Sequence, residues 1–308
     1  MIINTGQRTD IPAFYARWFA NRLKAGFVCV RNPFNPRQVS RYILDPSVVD
    51  AIGFCTKNPE PMFPYMDILS GYGQYWFVTI TPYGRDIEPN VPDKHYMLEV
   101  FRHLSGIVGK KAIGWRYDPI FTDERYTAAY HICAFSQMAE ALRGYTDTVV
   151  ISFIDLYRKV QRNFPQVREV TREERLTLGR QLIGIAKENG MRLVTCAEGK
   201  ELETFGADCS GCMPISVYER AIGKKLSVPP FKPAREGCSC YLAHDIGAYD
   251  SCAHLCRYCY ANSDRRAVAE NRRHHDPDSP FLIGHAREDD IVTQAKQVSW
   301  ADNQLSLF

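Results

Sequence analysis

No stretch of the 308-residue sequence approaches the about 18 consecutive apolar residues that a membrane-spanning helix needs. The opening residues, MIINTGQRTD, lack the basic segment and following apolar stretch of a secretory leader. Charge is nearly balanced, with 38 basic residues against 35 acidic ones and a net charge of +3. A balance this mildly basic permits a nucleic-acid partner but does not argue for one, since strong binders carry a clear basic stripe. The run Arg272-Arg273-His274-His275 reads as a solvated helix end. No G-x-G-x-x-G or phosphate-loop sequence follows any predicted strand, which removes the common nucleotide folds. There is no low-complexity tract. These absences lead to the expectation of a globular cytoplasmic protein with no membrane partner.

Cysteine, by contrast, is plentiful, at eleven residues. Cytosolic thiols stay reduced, so a disulfide framework is not expected. Cys29, Cys55 and Cys133 are scattered and read as small buried residues. The other eight lie between Cys196 and Cys259, and clustering of this kind points to metal or redox chemistry.

Before that cluster, strands and helices alternate. β-branched and aromatic runs predict strands at Ile2–Asn4, Phe27–Val30, Ala51–Cys55, Tyr75–Ile80, Ala112–Trp115, Thr148–Phe153 and Arg192–Cys196. The first intervening helix has Thr9 or Asp10 as its cap, Pro12 in its first turn and Gly26 at its end. A later one opens on a capping box, Thr171 with Glu174, and stops at Gly190. Seven strand–helix units in series predict a parallel sheet curled into a complete or partial TIM-like (β/α) barrel, with a doubly wound open sheet as the alternative. The expected division is a barrel core over 1–200 and a cysteine-rich region over 201–308 that completes the same barrel.

Polar residues gather where these strands end: Asn32-Pro33, Lys57-Asn58-Pro59, Thr81-Pro82-Tyr83, Arg116-Tyr117-Asp118, Asp155 and Glu198. One such end is ordinary turn chemistry. A succession of them predicts a shared active-site rim. Lys57 and Arg116 suit a carboxylate or phosphate. Asp118 and Glu198 suit hydroxyl or amino groups of a ligand, and Tyr117 or Tyr83 suits relay of a hydrogen atom. A salt bridge inside the fold is the plain alternative for the charged ones. His131 and His244 show no ligand spacing.

Near the end stands CAHLCRYCYAN. Cys252, Cys256 and Cys259 form C-x3-C-x2-C, which puts three thiolates on one tight loop. Three such ligands can hold three irons of a 4Fe–4S cluster and leave the fourth open to a ligand. Structural zinc, which wants four ligands, is the competing assignment, with His254 and Cys238-x-Cys240 as extra donors. Cys196, Cys212, Cys238 and Cys240, with Cys209 as a substitute, can form a second site for a cluster or zinc. A proline-rich loop over 228–233 separates the two halves of this region.

C-x3-C-x2-C with Tyr258 before its last cysteine resembles the cluster motif of the radical S-adenosylmethionine (SAM) superfamily, and CRYCYAN resembles the loop of spore photoproduct lyase. The resemblance implies a 4Fe–4S cluster on Cys252, Cys256 and Cys259 and Tyr258 packed beside it. It implies SAM as cosubstrate, with Glu198 and Asn58 among candidate contacts to it. Lys57, Arg116, Tyr117 and Asp118 become the candidate catalytic residues. It also implies a reductant such as flavodoxin or ferredoxin, and nucleic-acid repair or modification as one substrate class. RTDIPAFYARWF, TKNP, WRYDPI, CAE and DIGAYDSCAHLCRYCYAN together resemble an uncharacterised bacterial family that ends in such a cysteine cluster.

The motif normally follows the first strand of the fold, whereas here it lies near residue 255. A circular permutation reconciles the two if Tyr241–Ile246 is the strand before the loop, residues 262–273 are the helix after it, and both sit beside Ile2–Asn4. Otherwise the loop is an appended tail. Two other functions stay open: a non-catalytic iron–sulfur electron-transfer or sensing protein, and a zinc-stabilised barrel.

Overall fold

The computed structural model describes residues 1–230, 238, 240, 241 and 244–301. Its strands are β1 (Ile2–Asn4), β2 (Phe27–Arg31), β3 (Gln38–Ile43), β4 (Ala51–Thr56), β5 (Gly73–Thr79), β6 (Ile113–Ile120), β7 (Thr148–Phe153), β8 (Arg192–Thr195) and β9 (Ile291–Gln294). Six of them, β1, β4, β5, β6, β7 and β8, lie side by side in that order in one parallel sheet. Among the described residues no pairing joins β1 to β8. The sheet is therefore open, and the expected TIM-like barrel is corrected to a six-stranded parallel sheet with a small second sheet beside it. The sheet is not doubly wound either, because strand order follows the chain from edge to edge with no reversal point.

The second predicted unit is the one that departs. Residues 32–37 are all that separates β2 from β3, too few for a parallel crossover. The two strands form an antiparallel hairpin instead, and β9 adds to β3 in parallel. Single bridges flank the edges of the large sheet, Asn4 with Asp245 and Val194 with Asp208. The first of these is what the described part of Tyr241–Ile246 contributes, with Asn4 N donating to His244 O at 3.2 Å and Ile246 N to Asn4 O at 3.0 Å. Leu242 and Ala243 of that segment, and Phe231–Pro233 of the proline-rich loop, lie outside the described residues.

The helices are α1 (Ile11–Phe14), α2 (Ala16–Ala25), α3 (Met66–Leu69), α4 (Lys94–Val108), α5 (Ala128–Ala141), α6 (Arg158–Asn163), α7 (Arg172–Glu188), α8 (Ile215–Ile222) and α9 (Arg265–Arg273). The first predicted helix is broken at Tyr15 into α1 and α2. Asp10 caps α1, accepting from Ala13 N at 3.1 Å, and Gly26 ends α2 in the left-handed region at φ 74°. The capping box of Thr171 and Glu174 opens α7. Asp264 caps α9, in whose last turn Arg272 and Arg273 are exposed, with the Arg272 guanidinium over the Phe14 ring. Among the described residues no helix is long and apolar enough to cross a membrane.

Strand alternation sends neighbouring side chains to opposite faces of the sheet. On one face Phe54 stacks on Trp76 at 3.7 Å and meets Phe19 of α2, while Trp115 stacks on Phe135 of α5 at 4.8 Å. All five rings are fully buried, each worth about 1.5–3 kcal/mol relative to exposure. On the other face lie Gly53, Cys55, Tyr75, Phe77, Gly114, Arg116 and Asp118. Tyr218 of α8 covers part of it, donating from its hydroxyl to Asn4 Oδ1 at 3.1 Å. A Cβ on Gly53 would stand 2.4 Å from that hydroxyl, so only glycine admits α8 here.

Candidate functional site

Parallel strands end on the same side, and a cavity of about 930 Å3 opens there on the face that α8 leaves uncovered. Cys55 and Lys57 come to it from the end of β4, Thr79 from β5, Arg116 and Asp118 from β6, Ser152 from β7 and Cys196 from just past β8. The opposite wall is the loop of Cys252, His254, Cys256, Tyr258 and Cys259. The cysteine motif thus faces the predicted rim although it lies far along the chain.

The loop turns its three sulfurs to one side through left-handed conformations at Asp250 (φ 55°) and Leu255 (φ 57°). Asn262 Nδ2 ties its start, donating to Cys252 O at 2.8 Å, and Cys259 N donates to Cys256 O at 3.1 Å. Burial pushes all three thiols up, Cys256 to about 12, and the three sulfurs repel one another's charge. Working against burial, backbone N–H groups aim at sulfur: Ala261 N at Cys259 Sγ (3.4 Å), with Asn262 N also at Cys259 and His254 N at Cys252. N–H donors to sulfur stabilise the thiolate form that a metal takes. The donor set therefore fits a cluster.

Among the described residues, no three or more His, Cys, Asp or Glu side chains are disposed around one ion position as they stand. A cluster that takes each cysteine on a different iron does not require that disposition.

Two carboxylates absent from the sequence-derived site hold the loop in place. Glu88, 1 % exposed, accepts from Lys57 Nζ and Thr81 Oγ1, each at 2.7 Å, and from Lys94 Nζ and Tyr258 Oη. Burial alone would push its carboxyl up, but the two ammoniums hold it down to about 2. Burial likewise opposes the Lys57 charge, yet Glu88 raises it. Lys94 ends lowered, because burial and the neighbouring Lys57 outweigh its share of the same carboxylate. Asp10, besides capping α1, accepts from Lys57 N at 2.7 Å and faces His254 Nε2 at 3.0 Å. His254 Nδ1 faces Asn90 O at 3.3 Å, so both ring nitrogens are engaged with protein oxygens rather than with a metal. The signal for Glu88 was a charged residue in the loop after a strand end, PYGRDIEPN, and spacing does not distinguish it from a turn.

On the sheet wall Arg116 grips Asp118 through Nη2 at 2.6 Å and Nε at 3.0 Å, and Ser152 Oγ donates to Asp118 at 3.3 Å. Arg116 Nη1 points at Cys212 Sγ, 3.4 Å away. Cys212 in turn donates to Cys196 Sγ at 3.4 Å and lies 3.0 Å from Cys240 Sγ. Contacts with Cys212 and Cys240 pull Cys196 well below the ordinary thiol range, while Cys196 and burial push Cys240 up to about 12 against the opposing Cys212 contact. Thr9 Oγ1 is buried in the cavity lining and has no hydrogen-bond partner among the described residues.

Other predicted residues go elsewhere. Tyr117 alternates to the helix face, where its hydroxyl meets His131 Nδ1 at 2.8 Å. Tyr83 is buried against Phe121, and its hydroxyl donates to Pro119 O at 2.9 Å. Asn58 turns back to accept from Glu60 N at 3.2 Å. Glu198 lines a smaller adjoining pocket and accepts from Phe153 N at 2.8 Å, with burial raising its carboxyl to about 7. Cys238 lines the main cavity, whereas Cys209 packs beside the core. Cys29 is buried as expected, Cys55 stands in the cavity wall, and Cys133 is exposed on α5, against expectation. His131 is buried between Tyr117 and Phe121 O, and His244 bridges to β1 through its backbone.

Residues 2–261 match the model of the family described as a domain of unknown function, DUF1848, and the chain belongs to that family. No curated protein matches the chain.

Proposed function

We propose that this member of the DUF1848 family is a radical SAM enzyme working in the reducing cytoplasm. The observation that carries the reading is the position of Cys252, Cys256 and Cys259. All three line one cavity that the polar ends of five parallel strands also line, and Cys252 and Cys259 carry backbone N–H donors at sulfur. Cys252, Cys256 and Cys259 would hold a 4Fe–4S cluster there, and the cluster would supply, with SAM as cosubstrate, one-electron chemistry for hydrogen abstraction from substrate.

The residues of the chain bind, orient and shield. The three thiolates hold three irons. The Lys57 ammonium, held by Glu88, lies 5.6 Å from the centre of the Tyr258 ring and offsets thiolate charge at Cys256. Tyr258, fixed by its hydroxyl on Glu88, closes the loop against water. Arg116, Asp118 and Thr9 offer polar anchors for a bound ligand. A cavity of about 930 Å3 matches the size of pockets that enclose a cofactor-sized molecule. An electron-transfer protein has no need of such a space, which favours the enzyme reading. The electron comes from a carrier such as flavodoxin or ferredoxin.

Nucleic-acid repair or modification is the substrate class this reading favours. The resemblance of CRYCYAN to the spore photoproduct lyase loop supports it. So does the cavity mouth, where Phe34 (93 % exposed), Tyr157 and Tyr260 stand with Arg158 and Lys159. Exposed rings beside cations suit stacked bases and phosphates.

The test is electron paramagnetic resonance of anaerobically reconstituted, reduced protein with and without SAM. A 4Fe–4S signal that shifts with SAM, and disappears together with bound iron in Cys256→Ala, is the expected result. A signal indifferent to SAM refutes the enzyme reading, and absence of bound iron refutes the cluster.

A further inference from the structure

Three thiols of the second cysteine group converge from separate parts of the chain. Cys196 follows β8, Cys212 precedes α8, and Cys240 lies beyond that helix. Cys212 and Cys240 are buried, at 3 % and 2 % exposure. Cys212 Sγ stands 3.0 Å from Cys240 Sγ and 3.4 Å from Cys196 Sγ. Thiols are weak donors and acceptors, so three in mutual contact satisfy one another poorly. Two N–H groups nevertheless point at the sulfurs: Arg116 Nη1 at Cys212 (3.4 Å) and Met213 N at Cys240 (3.3 Å). Donors of this kind favour the thiolate, the form in which cysteine takes a metal.

The spacing also chooses between the two metal centres that cysteines commonly build. Ligands of a cubane cluster attach to different irons and stand well outside sulfur–sulfur contact. Ligands of one tetrahedral zinc, at about 2.3 Å each, are about 3.8 Å apart. The observed separations, 3.4 and 3.0 Å, are shorter than that edge, so the thiols do not surround an ion position as they stand and would have to rotate apart to take one. They are far closer to the zinc spacing than to that of a cluster.

We infer that Cys196, Cys212 and Cys240 hold a single zinc ion on the sheet wall of the cavity, with Arg116 donating to its thiolate shell. Cys196, Cys212 and Cys238 line the cavity. The inference does not rest on the iron–sulfur reading of the Cys252 loop. The ion would fasten Cys240 to the end of β8, beside the Arg116–Asp118 pair.

Full-length protein, isolated without added metal, is to be assayed for zinc and iron by plasma mass spectrometry and for zinc ligation by X-ray absorption. The expected result is one zinc per chain with at least three sulfur neighbours at about 2.3 Å. Cys212→Ser should lose zinc tenfold or more while still taking up iron on reconstitution, and Cys256→Ala should keep its zinc. Zinc that survives Cys212→Ser, a sulfur-poor zinc shell, iron with sulfide in place of zinc, or a Cys212–Cys240 disulfide in anaerobically isolated protein would each overturn the assignment. Should Cys212→Ser fail to fold, the absorption spectrum of the unaltered chain still decides.

Discussion

The two faces of the central sheet are built from alternate residues of the same strands, and they obey different rules. Toward the helices, Phe54, Trp76 and Trp115 pack against Phe19 and Phe135, and little there is charged. Toward the cavity, Arg116 and Asp118 of β6 confront a loop wall held by Lys57, Glu88 and Lys94, all little exposed. Buried ion pairs seldom stabilise more than apolar residues of the same volume would. Their concentration on the cavity side sets that side apart from the apolar helix side. The helix face carries the packing, and the cavity face carries the candidate site.

The largest expected effect strikes the cavity side. Glu88→Gln removes the carboxylate from between two buried ammoniums and leaves Lys57 and Lys94 facing each other. Breaking a buried pair by deleting one partner costs about 3–5 kcal/mol. Urea unfolding should report a loss of that size, and the Cys252 loop should become the first segment to exchange its amide hydrogens. A loss below about 1 kcal/mol would mean that water or rearrangement replaces the carboxylate, and the contrast between the faces would weaken.

Acid titration should separate the faces by pH. His131 sits on the helix side between Tyr117 Oη and Phe121 O, and burial lowers it from 6.5 to about 4. A base depressed in the folded state favours the unfolded chain once protonated. Its contribution is complete above pH 6.5 and is lost as pH falls toward 4, about 3 kcal/mol in all. Glu88, depressed from 4.5 to about 2, loses a similar contribution as pH falls between those values. Glu198, raised by burial to about 7, does the reverse: its contribution grows as pH falls from 7 toward 4.5 and offsets the His131 arm in the curve of the unaltered chain. The helix-side arm is therefore read as the difference that His131→Gln makes between pH 6.5 and 4, and the cavity-side arm as the difference that Glu88→Gln makes below pH 4.5. A single arm removed by either substitution would show that the faces unfold as one electrostatic unit.

The same division explains what the sequence made legible. Local signals were read correctly: the strands of the central sheet, Gly26 as a stop and the Thr171–Glu174 box each lie within a few residues of chain. Closure of the sheet was not local. Whether Phe27–Arg31 joined the barrel depended on the short connection to Gln38–Ile43, a strand its polar composition concealed. Glu88 and Asp10 escaped because their partners lie at Lys57, Tyr258 and His254, far away in sequence. Tyr117 was placed on the rim because its neighbours Arg116 and Asp118 are there, although alternation points it to the opposite face.

The smallest expected effect sharpens the contrast by leaving the cavity alone. Thr171 Oγ1 accepts from Glu174 N at 3.3 Å, and Glu174 Oε2 accepts from Thr171 N at 2.9 Å, at the exposed start of α7. Thr171→Ala removes one of these bonds and should cost about 1 kcal/mol in urea unfolding. α7 packs on α5 and β8 through Leu178, Leu182 and Ala186, so its fraying reaches the helix layer first. Iron uptake by the Cys252 loop should be unchanged within error. If this remote cap altered metal content or the spectral response to SAM, then helix packing would be transmitted through β8 to Cys196. The cavity would then depend on the layer behind the sheet as much as on its own charges.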